Sequence, residues 1–256
     1  MTDEILDFYE PLAAYYHLIF EDWNKSIDRQ ASVLNPILAS LFSARPLKIL
    51  DCACGIGTQA IGFAKFGHRV VASDLSPAAV ARAMDESQSR GLDISFRVSN
   101  MTSLVEVEES DFDAVVALDN ALPHLEPGEV ERAIAAMAAN LRLDGLFMAS
   151  IRDYDALIIE RPAVQGPAFY GGEGERRIVL QVWDWIDEAR YVVHLYITLE
   201  TGKNWTTHHF VSRYRCLLRG ELTNALERAG LKEIRWLTPQ ESGFYQPIVL
   251  ARKRRR

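Results

Sequence analysis

Between Leu47 and Asp153 the sequence alternates between two periodicities, and this alternation restricts the fold more than any other feature. "LKILDCA" (47–53) is an apolar run of strand length. "TQAIGFAKFG" (58–67) carries helical spacing and stops at Gly67. "HRVVASDL" (68–75) reads as a second strand. "SPAAVARAMDESQSRG" (76–91) reads as a helix with Ser76 as N-cap, Pro77 at its first position and Gly91 at its end. "ISFRVSN" (94–100) and "FDAVVALDN" (112–120) are a third and a fourth strand, "EPGEVERAIAAMAANL" (126–141) a helix, and "GLFMASIRD" (145–153) a fifth strand. Strands joined by helices run parallel, so the expectation is a parallel sheet with helices on both faces.

The flanks follow other patterns. Residues 5–42 predict two helices: "ILDFYEPLAAYYHLIF", interrupted by Pro11, and "DWNKSIDRQASVLNPILASLF", which runs to a break near Arg45-Pro46. No strand precedes residue 47, so these helices form an N-terminal extension. After residue 153 the alternation changes. "RIVLQVWDWIDEARYVVHLYITLE" predicts a hairpin and "WTTHHFVSRYRCLL" a third antiparallel strand. "ELTNALERAG" returns to helix, and "LKEIRWLTP" and "FYQPIVLARK" close the chain as two strands. The organisation expected is an N-terminal helical lid (1–45), a Rossmann-like domain (46–153 and 219–256) and an antiparallel β insertion over the substrate site (154–218).

Composition narrows the class of partner. The net charge of −7 speaks against nucleic acid, and the basic tail "ARKRRR" reads as a solvated terminus. No apolar run approaches the ~18 residues of a membrane span, and "MTDEILDFYE" has no signal-peptide pattern. A cytoplasmic protein with a small-molecule substrate is expected, with homo-oligomerisation left open. The three cysteines, Cys52, Cys54 and Cys216, do not suggest a disulfide framework. Cys52 and Cys54 lack zinc-ligand spacing and a second pair, so they read as small packing residues and no metal site is assigned.

"ILDCACGIGTQA" (49–60) joins the first strand to its helix. Glycine lets such a turn approach a ligand closely, and exposed helix N–H groups favour an anion. Gly55, Gly57 and Ala60 formally satisfy the G-x-G-x-x-G/A pattern of nicotinamide cofactor loops, so the loop alone is ambiguous. Three neighbours decide. Asp51, at the strand end, can meet an ammonium. Asp74 ends the second strand, where ribose hydroxyls would donate to it. Asn100-Met101 ends the third, an amide beside an apolar side chain, suited to adenine. An amino-acid head, a ribose and an adenine describe S-adenosylmethionine.

With those residues in view, "DCACGIG" resembles the D-x-A-C-G-x-G loop of class I S-adenosylmethionine-dependent methyltransferases. The terminal antiparallel pair also looks like that family's seven-stranded Rossmann-like sheet. "SNM" (99–101), "LDNALPHL" (118–125) and "SIRDYD" (150–155) are more specifically similar to glycine and sarcosine N-methyltransferases. The resemblance implies a cofactor set of Asp51, Cys54, Gly55, Gly57, Asp74, Leu75, Asn100, Met101, Leu118 and Asn120. It implies that Arg152 holds a substrate carboxylate and that Asn120 and His124 line the pocket. It implies a lid carrying Tyr16, Phe20 and Trp23 from "YYHLIFEDW", with Tyr154 beside the substrate.

Each residue also has a plainer reading. Asp51 can cap its turn and Asp74 can cap the helix after it. Asp119 and Asn120 can be turn residues, His124 can satisfy a loop carbonyl, and Arg152 can pair with Asp153 or Asp155. Tyr16, Phe20 and Trp23 can be core. Trp183 and Trp185 share a strand face, whereas His208 and His209 point to opposite faces and do not suit one metal ion. The leading expectation is methyl transfer to the amine of a small carboxylated substrate. An O- or C-methyltransferase of a natural-product pathway is the alternative, and a nicotinamide-dependent oxidoreductase or a catalytically silent binding protein comes after it.

Overall fold

The computed structural model describes residues 2–42 and 45–255, with side chains from Glu4 onward. Parts of the lid boundary, of the break before Pro46 and of the basic tail therefore lie outside the described residues. Five strands run parallel: β1 (Lys48–Asp51), β2 (Arg69–Asp74), β3 (Ile94–Val98), β4 (Phe112–Ala117) and β5 (Leu141–Ser150). Two more complete the sheet, β10 (Leu231–Leu237) and β11 (Ile248–Lys253), in the order β10-β11-β5-β4-β1-β2-β3. β11 is antiparallel to both neighbours. The expected seven-stranded Rossmann-like sheet is what the chain forms.

Alternate residues of the central strands feed two cores. Leu50, Val115 and Phe147 face α5 (Pro127–Asn140) and α7 (Arg219–Arg228). Ile49, Ala114 and Met148 face α2 (Trp23–Leu41) and α3 (Thr58–Lys65). A sheet covered on both faces explains why every residue of β4 is buried. The order reverses between β1 and β4, which opens a crevice beyond their carboxyl ends. Asp51, Asp74, Asn100 and Asp119 all end or follow strands on that edge.

The N-terminal extension is α1 (Thr2–Leu12), one 3-10 turn (Tyr16–Ile19) and α2. Pro11 sits in the last turn of α1, and Pro36 is carried inside α2. In α4 (Pro77–Ser89), Ser76 caps as expected, its Oγ accepting from Ala79 N–H at 3.1 Å.

The insertion is a four-stranded antiparallel sheet: β6 (Val164–Tyr170), β7 (Arg177–Trp185), β8 (Arg190–Thr201) and β9 (Asn204–Arg215). The hairpin and its third strand were expected; β6 and the short α6 (Tyr154–Glu160) were not. The inner face of this sheet packs on α1 through Val179, Leu195, Ile197 and Phe210. It joins the main core through Trp183, Tyr191 and Val193. His208 and His209 do face opposite ways: His208 lies against Tyr15 and His209 stacks on Tyr196. Among the described residues no helix is long and apolar enough to cross a membrane.

Candidate active site

β1 ends in Asp51, a buried carboxylate that stands behind the cleft wall formed by Cys52 and Ala53 rather than on it. One oxygen accepts from Ala53 N–H at 3.2 Å; the other has no hydrogen-bond partner. Burial, with Asp74 nearby, pushes its pKa from 3.8 to about 7. A buried acceptor left open is costly and asks for a donor. An ammonium satisfies both the free oxygen and the charge.

The turn after β1 carries two glycines with different tasks. Gly55 has φ +52°, and a Cβ there would meet nothing within 4 Å. Its N–H donates to Asp74 at 2.8 Å, and Ser76 N–H donates to the other oxygen at 3.0 Å. Gly57 has φ +93°, and a Cβ would lie 3.1 Å from Ile61 and 3.3 Å from Ala83. Gly57 therefore serves the turn and the contact between α3 and α4. It is not on the cleft wall, contrary to the expectation that the backbone passes closest to the ligand there.

A narrow cleft of about 80 Å³ runs along these strand ends. Cys54, Gly55, Asp74, Leu75, Asn100, Met101 and Leu118 of the expected cofactor set line it, with Ile5 and Tyr9 of α1 closing one side. Burial pushes the Cys54 thiol well above its ordinary pKa, so it meets a ligand as a neutral packing group. Asn120 lies off this wall and on the next.

A chamber of about 700 Å³ adjoins the cleft, and Tyr9, Tyr16 and Asp119 line both. Arg152 lines the chamber. Its guanidinium lies over the rings of Trp183 and Tyr214, 4.7 and 5.1 Å from their centroids. It donates to Tyr191 Oη at 2.9 Å and to Gln181 Oε1 at 3.4 Å. The carboxylates that would pair with it on a surface are engaged elsewhere: Asp153 and Asp155 both pair with Arg219. Asn120 holds Arg152 in place, its Oδ1 accepting from Arg152 N–H at 3.0 Å while its amide donates to Tyr154 Oη.

Two expected site residues take other positions, and a third lines the cleft with little basicity. Trp23 is buried, and its indole donates to Thr58 at 2.9 Å, so it belongs to the core under the first turn rather than to a lid surface. Tyr154 is fully buried behind Asn120 and hydrogen-bonds to Tyr191 at 3.0 Å. His124 lines the cleft but is buried against Tyr214, and burial lowers its pKa to about 3. An imidazole of such low basicity is a poor proton acceptor; it hydrogen-bonds with Tyr9 Oη at 2.9 Å. Tyr16 and Phe20 line the chamber as expected.

The sequence reading missed Tyr9, Glu10, Tyr245 and Gln246, and gave Asp119 only a turn role. Glu10 accepts from Ser76 Oγ at 2.6 Å and from Ala78 N–H at 3.2 Å, tying α1 to the start of α4. Tyr245 and Gln246 reach Asp119 from the loop before β11. The left-handed backbone at Asp119 and Asn120 has no local sequence signal beyond the Asp-Asn pair itself.

Comparison with known proteins agrees with this geometry. Residues 49–145 match a family model described as a methyltransferase domain. A glycine/sarcosine N-methyltransferase from Parasynechococcus marenigrum (strain WH8102) is 29% identical over 145 residues, 56% of this chain and 50% of that protein. A ubiquinone biosynthesis O-methyltransferase from Xanthomonas axonopodis pv. citri (strain 306) is 32% identical over 109 residues, 41% of this chain and 45% of that one. The chain thus spans about half the length of the curated relatives it matches. Among solved structures, the S-adenosylmethionine-bound amino pentose methyltransferase CalS10 from Micromonospora echinaspora superposes with a TM-score of 0.74 at 19% identity, covering 96% of this chain and 98% of that one. Residues 49–145 thus match a methyltransferase domain, and the chain has the fold of S-adenosylmethionine-dependent methyltransferases.

Proposed function

We propose that the protein transfers a methyl group from S-adenosylmethionine to the amine of a small carboxylated acceptor. The observation that carries this reading is Arg152: a half-buried cation with no carboxylate partner among the described residues, facing a chamber that shares a wall with the cleft. The donor set of the cleft fits the cofactor. Asp74 on the wall suits its ribose hydroxyls and Asn100 with Met101 its adenine, while the open oxygen of Asp51, just behind Cys52 and Ala53, suits its ammonium. When bound, S-adenosylmethionine supplies a methyl group on a sulfonium, which leaves without metal or covalent assistance.

The chain's own residues then have alignment as their main task. Arg152 offers a carboxylate two parallel N–H groups and so fixes the acceptor's angle. Trp183 and Tyr214 hold the guanidinium flat, and Asn120 anchors its backbone. Tyr9 and Tyr16 stand where the chamber meets the cleft. Tyr16 Oη remains a hydrogen-bond donor, because burial and Asp119 push its pKa well above 10.0. The amine must lose its proton before attack. Since His124 is held neutral with low basicity, it is not assigned that proton, and the acceptor enters as the fraction of amine already deprotonated in bulk solution.

The chamber volume favours a second reading in one respect. About 700 Å³ exceeds what glycine or sarcosine fills, so a larger acceptor of natural-product type also fits. The test compares acids with their amides, using labelled methyl donor and a panel from glycine upward. Wild type should lose most of its rate when the acceptor carboxylate is amidated. Arg152→Lys keeps the charge but not the planar fork, so it should be slow on the acid and lose little more on the amide. Equal methylation of acid and amide by both enzymes would make Arg152 structural and put the neutral-acceptor reading first.

A further inference from the structure

Arg29, Asp119, Arg152, Asp153 and Glu160 are the charged residues that line the chamber, and two of opposite sign have only neutral side chains as hydrogen-bond partners among the described residues. Arg152 is one, held by Tyr191 and Gln181. Asp119 is the other. Its carboxylate accepts from Tyr245 Oη at 2.6 Å, from Gln246 Nε2 at 3.3 Å and from Tyr16 Oη at 3.2 Å. Those donors come from opposite ends of the chain and orient both carboxylate oxygens without cancelling the charge. The backbone holds this orientation at a cost. Asp119 and Asn120 have φ of +56° and +67°, consecutive non-glycine residues in the left-handed region. Asp and Asn visit this region more readily than other side chains with a Cβ, and two in succession persist where the surroundings over-determine them. Here Ser150 fixes both, its Oγ accepting from Asp119 N–H at 2.8 Å and its carbonyl accepting from Asn120 N–H at 3.2 Å.

We propose that Asp119 binds the amino end of the methyl acceptor while Arg152 binds its carboxylate. The acceptor class is then a zwitterion whose two charges span the chamber. This rests on the reading of Arg152 given above and adds the group at the other end. Asp119 borders the cleft as well as the chamber, so an amine held there stands at their junction. In its neutral form the nitrogen still donates one N–H to Asp119 and keeps its lone pair for the methyl carbon. A hydrogen bond to a charged acceptor is worth about 1.5–3 kcal/mol, about tenfold or more in affinity. Against a methyl-ended isostere the carboxylate also loses its counter-charge, which adds to the discrimination.

The experiment is calorimetric and needs no turnover. The protein, saturated with S-adenosylhomocysteine, is titrated with ω-amino carboxylates from glycine to 6-aminohexanoate. It is titrated in parallel with isosteres in which a methyl group replaces the ammonium. At the chain length that spans the chamber, the amino member should bind about tenfold or more tighter than its isostere. Asp119→Asn should abolish that ratio, and Arg152→Met should weaken both members together. The ratio separates recognition from damage, because a disturbed fold lowers both affinities alike. Equal binding of the two members at every length in wild type would overturn the proposal, whether or not the Asn variant folds. So would an unchanged ratio in Asp119→Asn, which would leave Asp119 as a tie between Tyr16 and Tyr245. Failure of the underlying activity reads out separately, as absence of S-adenosylhomocysteine binding or of methyl transfer.

Discussion

Asp51 shows how one buried atom can mark a candidate ligand contact. Its free oxygen is buried, and its pKa has moved from 3.8 to about 7 by desolvation first and the neighbouring Asp74 carboxylate after it. Between about pH 4 and pH 7 the folded chain therefore holds a proton at Asp51 that the unfolded chain has released. Stability from this group falls as pH rises across that window and stays lost above it. Asp51→Asn removes the slope. In thermal melts without ligand, the variant should equal or exceed wild type at pH 8 and gain nothing at pH 4. Its S-adenosylmethionine affinity at pH 8 should nevertheless drop, since the ammonium loses its counter-charge. Titration of wild type near pH 6.5 in buffers of different ionisation enthalpy should show proton release on binding, and Asp51→Asn should show none from this source. A variant less stable than wild type at pH 8 with unchanged ligand affinity would make Asp51 a turn residue only.

The turn between β1 and α3 divides its work between two glycines, and only part of that division is legible in the sequence. "CGIG" identifies a tight turn opening a helix. It cannot say that Gly55 faces the cleft while Gly57 faces Ala83 across two helices, because Ala83 arrives only through tertiary packing. Gly57→Ala should cost about 1–2 kcal/mol from its left-handed backbone, with packing strain added, and lower the melting temperature. Gly55→Ala bears the backbone cost without the packing strain, so its melting temperature should fall less and its S-adenosylmethionine affinity more. If both variants lose affinity in proportion to stability, the division is wrong. The same limit explains other misses. The parallel strands were readable because burial on both faces gives continuous apolar runs. β6 was not, because "VQGPAFY" has mostly exposed residues, contains Gly-Pro, and lies on the edge of its sheet. As candidates, Asp51, Asp74 and Asn100 were readable from the rule that ligands sit at strand ends. Asp119 was not, because its three side-chain donors lie 103, 126 and 127 residues away in sequence.

At the scale of the whole molecule, the candidate site is assembled from nearly the full chain. Ile5 and Tyr9 close the cleft, and Gln246 lies on the chamber wall. β11 provides that last element by running antiparallel into the sheet, with Gln246 just before it and accepting from Ser150 Oγ at 2.8 Å. The insertion sheet provides the floor under Arg152, and α1 is held between that sheet and α4 by Phe8 on one side and Glu10 on the other. The cleft's free volume has a kinetic consequence. About 80 Å³ is small beside the ~300 Å³ or more that ligand pockets usually offer, and Ile5 and Tyr9 of α1 close one side, so a nucleoside is expected to enter once α1 moves. Entry then waits on an opening step that precedes contact. In stopped-flow mixing, the observed association rate should rise with S-adenosylmethionine concentration and then level off at the opening rate. Glu10→Ala, which cuts the tie to α4, should raise that plateau and leave the initial slope less affected. A rate that climbs linearly to the highest concentrations would mean that the gate stands open far more often than its closed form implies.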